Sequence, residues 1–214
     1  MVHSFRTRPE FERYAKDLAV FGTNQLEMVL AEAQLSAPSP SQLAAMVAFS
    51  ETCTAAGMNM SMFAASESST GNLSAMIDTF RRIPKLDSVF MPGGDGGQLV
   101  WPAIENVTAA LLQAHPEAGT WVSAQMLDGD GLQQFWQNVT RAVAAGHLSG
   151  GVVYGPHVRV PIKSFVAKAQ AVGVRVRQYP DITHTFGDSF PVPDLDAAWS
   201  LTHERQSVSP MPSW

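Results

Sequence analysis

The stretch that decides the reading is SVFMPGGDGGQLVW, Ser88 to Trp101. A short apolar run stops at Pro92. Two glycine pairs then flank a lone acid, Asp95. A helical pattern entered through Pro102 follows, and proline suits the first turn of a helix. Strand, glycine-rich loop, helix is the βα unit of a parallel sheet. In such sheets ligands sit at the carboxyl ends of the strands, where Asp95 falls. A plain turn needs one or two glycines, so four suggest a crowded site.

The same rhythm runs along the chain. Expected strands are Asn24–Ala31, Met58–Ala65, Leu86–Gly94, Gly119–Met126, Ser149–Gly155 and Val174–Ile182. Expected helices are Pro9–Gly22, Ser39–Gly57, Gly71–Pro84, Gln98–Pro116, Asp130–His147, Pro161–Gly173 and Asp194–Val208. Ser39 before Pro40 reads as a helix cap. The Met-rich run after Gly57 reads as core filling. About six strands in alternation with helices imply parallel pairing with right-handed crossovers. One reading is an open doubly wound sheet. The other is a (β/α)8 barrel lacking its first and last strands, since a full barrel takes about 250 residues and the chain has 214. No composition shift divides the chain, so residues 1–214 are expected to form one domain.

Composition narrows the function. The chain carries 14 Lys and Arg against 19 Asp and Glu, a net charge of −5. No basic block appears, which disfavours nucleic acid and anionic membranes as partners. No apolar run reaches membrane-spanning length. The start is charged and lacks the apolar stretch of a signal peptide, so a cytoplasmic location is expected. Cys53 is the lone cysteine, which rules out an internal disulfide and a cysteine-based zinc knuckle.

The chemistry-bearing residues collect after the strands. Glu27 lies inside the first strand, either on a site or facing solvent at an edge. Glu67 follows the second strand and Asp95 the third, where its alternative role is to cap the next helix. Gln125 follows the fourth. Tyr154, His157 and Arg159 follow the fifth, and Tyr179, Asp181 and His184 the sixth. The nucleotide-binding glycine pattern, the phosphate-loop lysine, the G-x-S-x-G elbow and H-E-x-x-H are all absent.

Five segments carry a resemblance: DLAVFGTNQLEMV, DSVFMPGGDGG, WVSAQ, GGVVYGPHVR and YPDITHTFGDSFPVPDLDAAWSLTHERQSVSPMP. Together they resemble the catalytic (β/α)8 domain of α-glucuronidase-like and hexosaminidase-like glycoside hydrolases, from about Tyr14 to Pro212. The resemblance implies that Asn24–Leu30 is the second barrel strand and Val174–Tyr179 the seventh. It places Asp95 after the fourth, as an acid/base carboxylate. The chain departs from that pattern in having Gly96 where a proline is expected, and in lacking counterparts of strands one and eight.

Three functional readings follow. In the first, a glycosidase needs no cofactor and uses two carboxyls, about 5–5.5 Å apart if retaining or about 6.5–9.5 Å if inverting. Asp95 supplies one, and Glu27, Glu67 or Asp181 the other. Tyr154, Tyr179, Arg159 and Gln125 bind the carbohydrate or other small substrate. In the second, His157, Asp181 and His184 hold a divalent metal, zinc by ligand type, and a metal-bound water attacks a phosphoester or carboxyl ester. In the third, the chain is a non-catalytic remnant that binds carbohydrate or protein. Uncovered sheet edges predict a homodimer or higher homo-oligomer.

Overall fold

The computed structural model describes residues 7–31, 33–65, 72–94, 98–155 and 158–178. Local signals set its elements. Helix α1 (Arg8–Val20) opens on a capping box, Thr7 with Glu10. Strand β1 (Gln25–Ala31) and a short helix α2 (Ala33–Ser36) follow. The sequence pattern did not signal α2. Helix α3 (Pro40–Ala55) opens on the expected Ser39, paired with Gln42 in a second capping box. Such boxes satisfy amide groups that the first turn leaves unpaired. Then come β2 (Asn59–Ala65), α4 (Leu73–Arg81) capped by Asn72, and β3 (Ser88–Met91). Helix α5 (Trp101–Ala114) takes Val100 at its N-cap, so the capping position is not Asp95. Strand β4 (Gly119–Ser123), α6 (Gly129–Ala144), β5 (Gly151–Tyr154), α7 (Ile162–Val172) and β6 (Arg175–Gln178) complete the series. The expected helix Asp194–Val208 lies outside the described residues. Among the described residues, no helix is long and apolar enough to cross a membrane.

All six strands are parallel, and the sheet order is β1-β2-β3-β4-β5-β6. That order decides between the two architectures. A doubly wound sheet reverses direction at a switch point; this one never does. Each right-handed crossover steps one strand further the same way, which keeps every helix on one face. The fold is a parallel α/β arc of an incomplete (β/α)8 barrel, as the sequence predicts.

The two faces differ accordingly. On the helical side, Met60, Met62, Val89, Met91, Val122, Val152 and Val176 join one continuous core with Met46, Met76, Phe80 and Phe165. Met46, Met58, Met60, Met62, Met76 and Met91 are all within 1% of complete burial, so the Met-rich run is core filling. Burying each such side chain contributes about 1.5–3 kcal/mol. His115 is half-buried and ties α5 to α4 through Nε2 and the Phe80 carbonyl, 2.9 Å apart. On the concave side a separate cluster holds Phe90, Trp121 and Val153, with Phe63 against it.

Glycines make room for the Trp121 indole. A Cβ on Gly151 would stand 2.3 Å from the Arg175 carbonyl oxygen and 2.9 Å from the indole. One on Gly150 would stand 2.3 Å from the Thr120 carbonyl oxygen and 2.9 Å from the indole nitrogen. We expect Gly151→Ala to lower stability by about 1–3 kcal/mol, the usual range for overpacking, read by urea denaturation. Gly131→Ala is the contrast. It sits in α6, where an added methyl meets only Leu127 at 3.7 Å, and should stabilise by about 0.5–1 kcal/mol. Equal midpoints for Gly151→Ala and the unaltered chain would contradict the packing described.

Candidate functional site

The concave face is built from alternate residues of each strand. Its first tier runs Glu27, Ser61, Ser88, Gly119, each paired in register with the next. The second runs Val29, Phe63, Phe90, Trp121, Gly151, Arg175. The third brings Ser123, Val153 and Arg177 together.

Among the described residues, Glu27 is the carboxyl on this face. Ser61 Oγ donates to its Oε2 at 3.0 Å, and Ser88 Oγ donates to Ser61 Oγ, also at 3.0 Å. Both serines are fully buried. Glu27 is different. Water reaches it from the open side of the arc, yet the volume around its carboxyl is mostly protein. A concave wall produces that combination. The carboxyl thereby loses part of its hydration. That loss pushes the Glu27 pKa up from 4.5 to about 7, against the opposing effects of the Ser61 hydrogen bond and the Arg177 charge. An acid that titrates near neutrality can both give and take a proton.

Arg177 acts on Glu27 from the far end of the sheet. Barrel strands are tilted and their register is staggered. Stagger lets residues distant along the ladder approach across the bore. The Arg177 guanidinium lies 3.8 Å from the Trp121 ring centroid, and that of Arg175 lies 5.1 Å away. Gly151 stands between Trp121 and Arg175 in the register. Its missing side chain lets the indole reach both cations, an attraction of about 0.5–2 kcal/mol per pair. Burial, then the Arg175 charge, lowers the Arg177 pKa to about 10, which leaves it cationic at neutral pH. Arg175 is anchored by its Nε to the Gly150 carbonyl at 3.0 Å and its Nη2 to the Ser149 carbonyl at 3.3 Å.

The carboxyl rim explains part of the glycine-rich loop. A Cβ on Gly93 would meet the Ser123 carbonyl oxygen at 2.6 Å, and one on Gly94 the Gln125 carbonyl oxygen at 2.8 Å. The first glycine pair thus serves close approach of the loops after β3 and β4. The approach involves Met126, whose Cβ would lie 3.0 Å from a Cβ on Gly94. Met126 has φ +59°, a left-handed conformation that costs an L-residue about 1–2 kcal/mol.

The other expected site residues fall variously. Gln125 sits half-buried on the rim, its backbone N–H donating to Ser123 Oγ at 3.1 Å. Arg159 is exposed nearby, its amide donating to the Leu127 carbonyl at 3.3 Å. Tyr154 turns to the helical side. Its ring meets Phe165 edge-on at 5.3 Å, and its hydroxyl donates to the Val160 carbonyl at 2.9 Å. Asp95, Glu67, His157, Tyr179, Asp181 and His184 lie outside the described residues. Among the described residues no group of three or more His, Cys, Asp or Glu side chains is placed to hold a metal. Ser61, Ser88, Trp121 and Arg177 were not singled out from the sequence.

No protein-family model matches the chain, and no curated protein sequence matches it. Solved structures do. A protein from Roseobacter denitrificans described as a racemase superposes with a TM-score of 0.54 at 12% identity, over 84% of this chain and 46% of that one. Xylanase 10B from Thermotoga maritima gives 0.53 at 10% identity, over 82% and 65%. An old yellow enzyme homologue from Zymomonas mobilis gives 0.52 at 12% identity, over 95% and 77%. The chain spans about half the length of the first and under two thirds of the second. These neighbours are barrel-type folds, and at such identities the likeness shows the fold alone.

The raised Glu27 pKa makes a stability prediction. The folded protein holds this proton more tightly than the unfolded chain does. The resulting stabilisation is complete below about pH 4.5 and is lost as pH rises through about 7. Urea denaturation from pH 4 to 8 should show this loss in the unaltered chain and not in Glu27→Gln. Parallel curves for the two would contradict a raised Glu27 pKa.

Proposed function

We propose that this chain is a barrel-type hydrolase acting in the manner of a glycoside hydrolase, with Glu27 as its general acid. The observation that carries this reading is a carboxyl on the concave face of a parallel arc, hydrogen-bonded on one oxygen and walled in so that lost hydration pushes its pKa up. The protonated carboxyl donates to the leaving-group oxygen as the scissile C–O bond breaks, and that oxygen keeps the bonding electron pair. The carboxylate left behind is favoured by Ser61 and by the Arg177 cation. A second carboxyl, from Asp95, Asp181 or Glu67, serves as base or nucleophile toward water or the sugar carbon. The acid role thus moves from Asp95 to Glu27, because among the described carboxyls Glu27 is the one on the concave face whose pKa burial pushes up. A xylanase among the fold neighbours is compatible with this chemistry.

The test is hydrolysis of a panel of aryl glycosides, with aryl esters as the comparison class. Glu27→Gln should lower glycoside turnover about 10²–10⁴-fold, the usual contribution of a positioned acid. Asp95→Asn, Asp181→Asn and Glu67→Gln identify the second carboxyl. Unchanged glycoside turnover in Glu27→Gln would overturn the assignment.

A further inference from the structure

Three strands place an acid and two hydroxyls in one register line: Glu27 on β1, Ser61 on β2 and Ser88 on β3. The line has a direction. Ser88 is fully buried, so its O–H requires an acceptor. That acceptor is Ser61 Oγ at 3.0 Å. With one lone pair so used, Ser61 turns its own O–H to Glu27 Oε2 at 3.0 Å. Reversing the line would leave the buried Ser88 proton with no acceptor among the described residues. Oε1 of Glu27 accepts no hydrogen bond among them.

We propose that Ser88 and Ser61 form a one-way hydroxyl relay that fixes Oε2 of Glu27 as an acceptor and makes Oε1 the oxygen that carries and transfers the proton. The two serines are positioning residues. This inference rests on the reading of Glu27 as the acid, and it specifies which of its two oxygens reacts. In the acid form the proton sits on Oε1, because Oε2 already accepts from Ser61. When Oε1 gives up that proton, the new charge is shared with Oε2 and met there by the Ser61 O–H. The line therefore favours the ionised form and eases proton release. Among the described residues, Arg177 is the charged group that reaches Glu27 from the other strands, and it favours the ionised form too.

The experiment is a carbon-13 NMR titration of Glu27 in chain labelled at glutamate side-chain carboxyls, assigned by comparison with Glu27→Gln. The readout does not depend on turnover, so a failed glycosidase assignment and a failed relay are told apart. In the unaltered chain the midpoint should lie near 7. Ser61→Ala removes the hydrogen bond to the charged form and should move the midpoint up to about 8. Ser88→Ala leaves Ser61 in place but frees its direction, and should move the midpoint the same way by less. If Ser61→Ala does not fold, Ser88→Ala carries the test alone. Midpoints at or below that of the unaltered chain in the folded variants would overturn the relay.

Discussion

Six parallel strands in sequential order, with their crossovers on the same face, constrain the rest of the structure. That order gives the sheet two chemically different sides. One side receives the described helices and is filled with methionine, valine and phenylalanine. The other receives none of them, so alternate residues of each strand face into a concavity. A carboxyl and two arginines are tolerated there because water still enters. On the helical side the same groups would be buried against hydrocarbon at a cost of several kcal/mol apiece. The fold therefore selects where charge can stand before any chemistry is considered.

Within the concavity, small residues do as much as charged ones. Gly119, Gly150 and Gly151 leave a recess for the Trp121 indole. The indole in turn carries the guanidiniums of β6. At the carboxyl rim, Gly93 and Gly94 admit the backbone of Ser123 to Met126, and Met126 holds a left-handed conformation beside them. A non-glycine residue kept there is strain that the packed loops sustain. Gly93, Gly94, Gly119, Gly150 and Gly151 are thus points where backbone or indole comes too close for a side chain, whereas Gly22, Gly57, Gly146 and Gly173 have open space and serve positive-φ turns.

Much of the fold was legible in the residues. The alternation of strand and helix follows from apolar periods and caps such as Ser39. Six strands and the barrel arc follow from that rhythm and from the shortness of the chain. The site was legible only in part. Glu27 stands out as an acid inside an apolar strand, but whether it faced a site or solvent depended on which face the helices took. Ser61 and Ser88 are ordinary strand residues until register aligns them with Glu27, and register between distant strands leaves no mark in a single sequence. Arg177 meets Trp121 for the same reason. Tyr154 misled because its place at a strand's end suggested the mouth, while strand parity turned it to the helices.

The central claim is that the two outer strands of this arc face one another across a bore, so that the β6 cation acts on the β1 acid. The most direct measurement is the Glu27 titration midpoint in Arg177→Met, followed by carbon-13 NMR. Removing a cation that favours the carboxylate must raise the midpoint above that of the unaltered chain. A midpoint that does not move in the folded variant would mean that the arc does not bring its ends together, and would contradict the account.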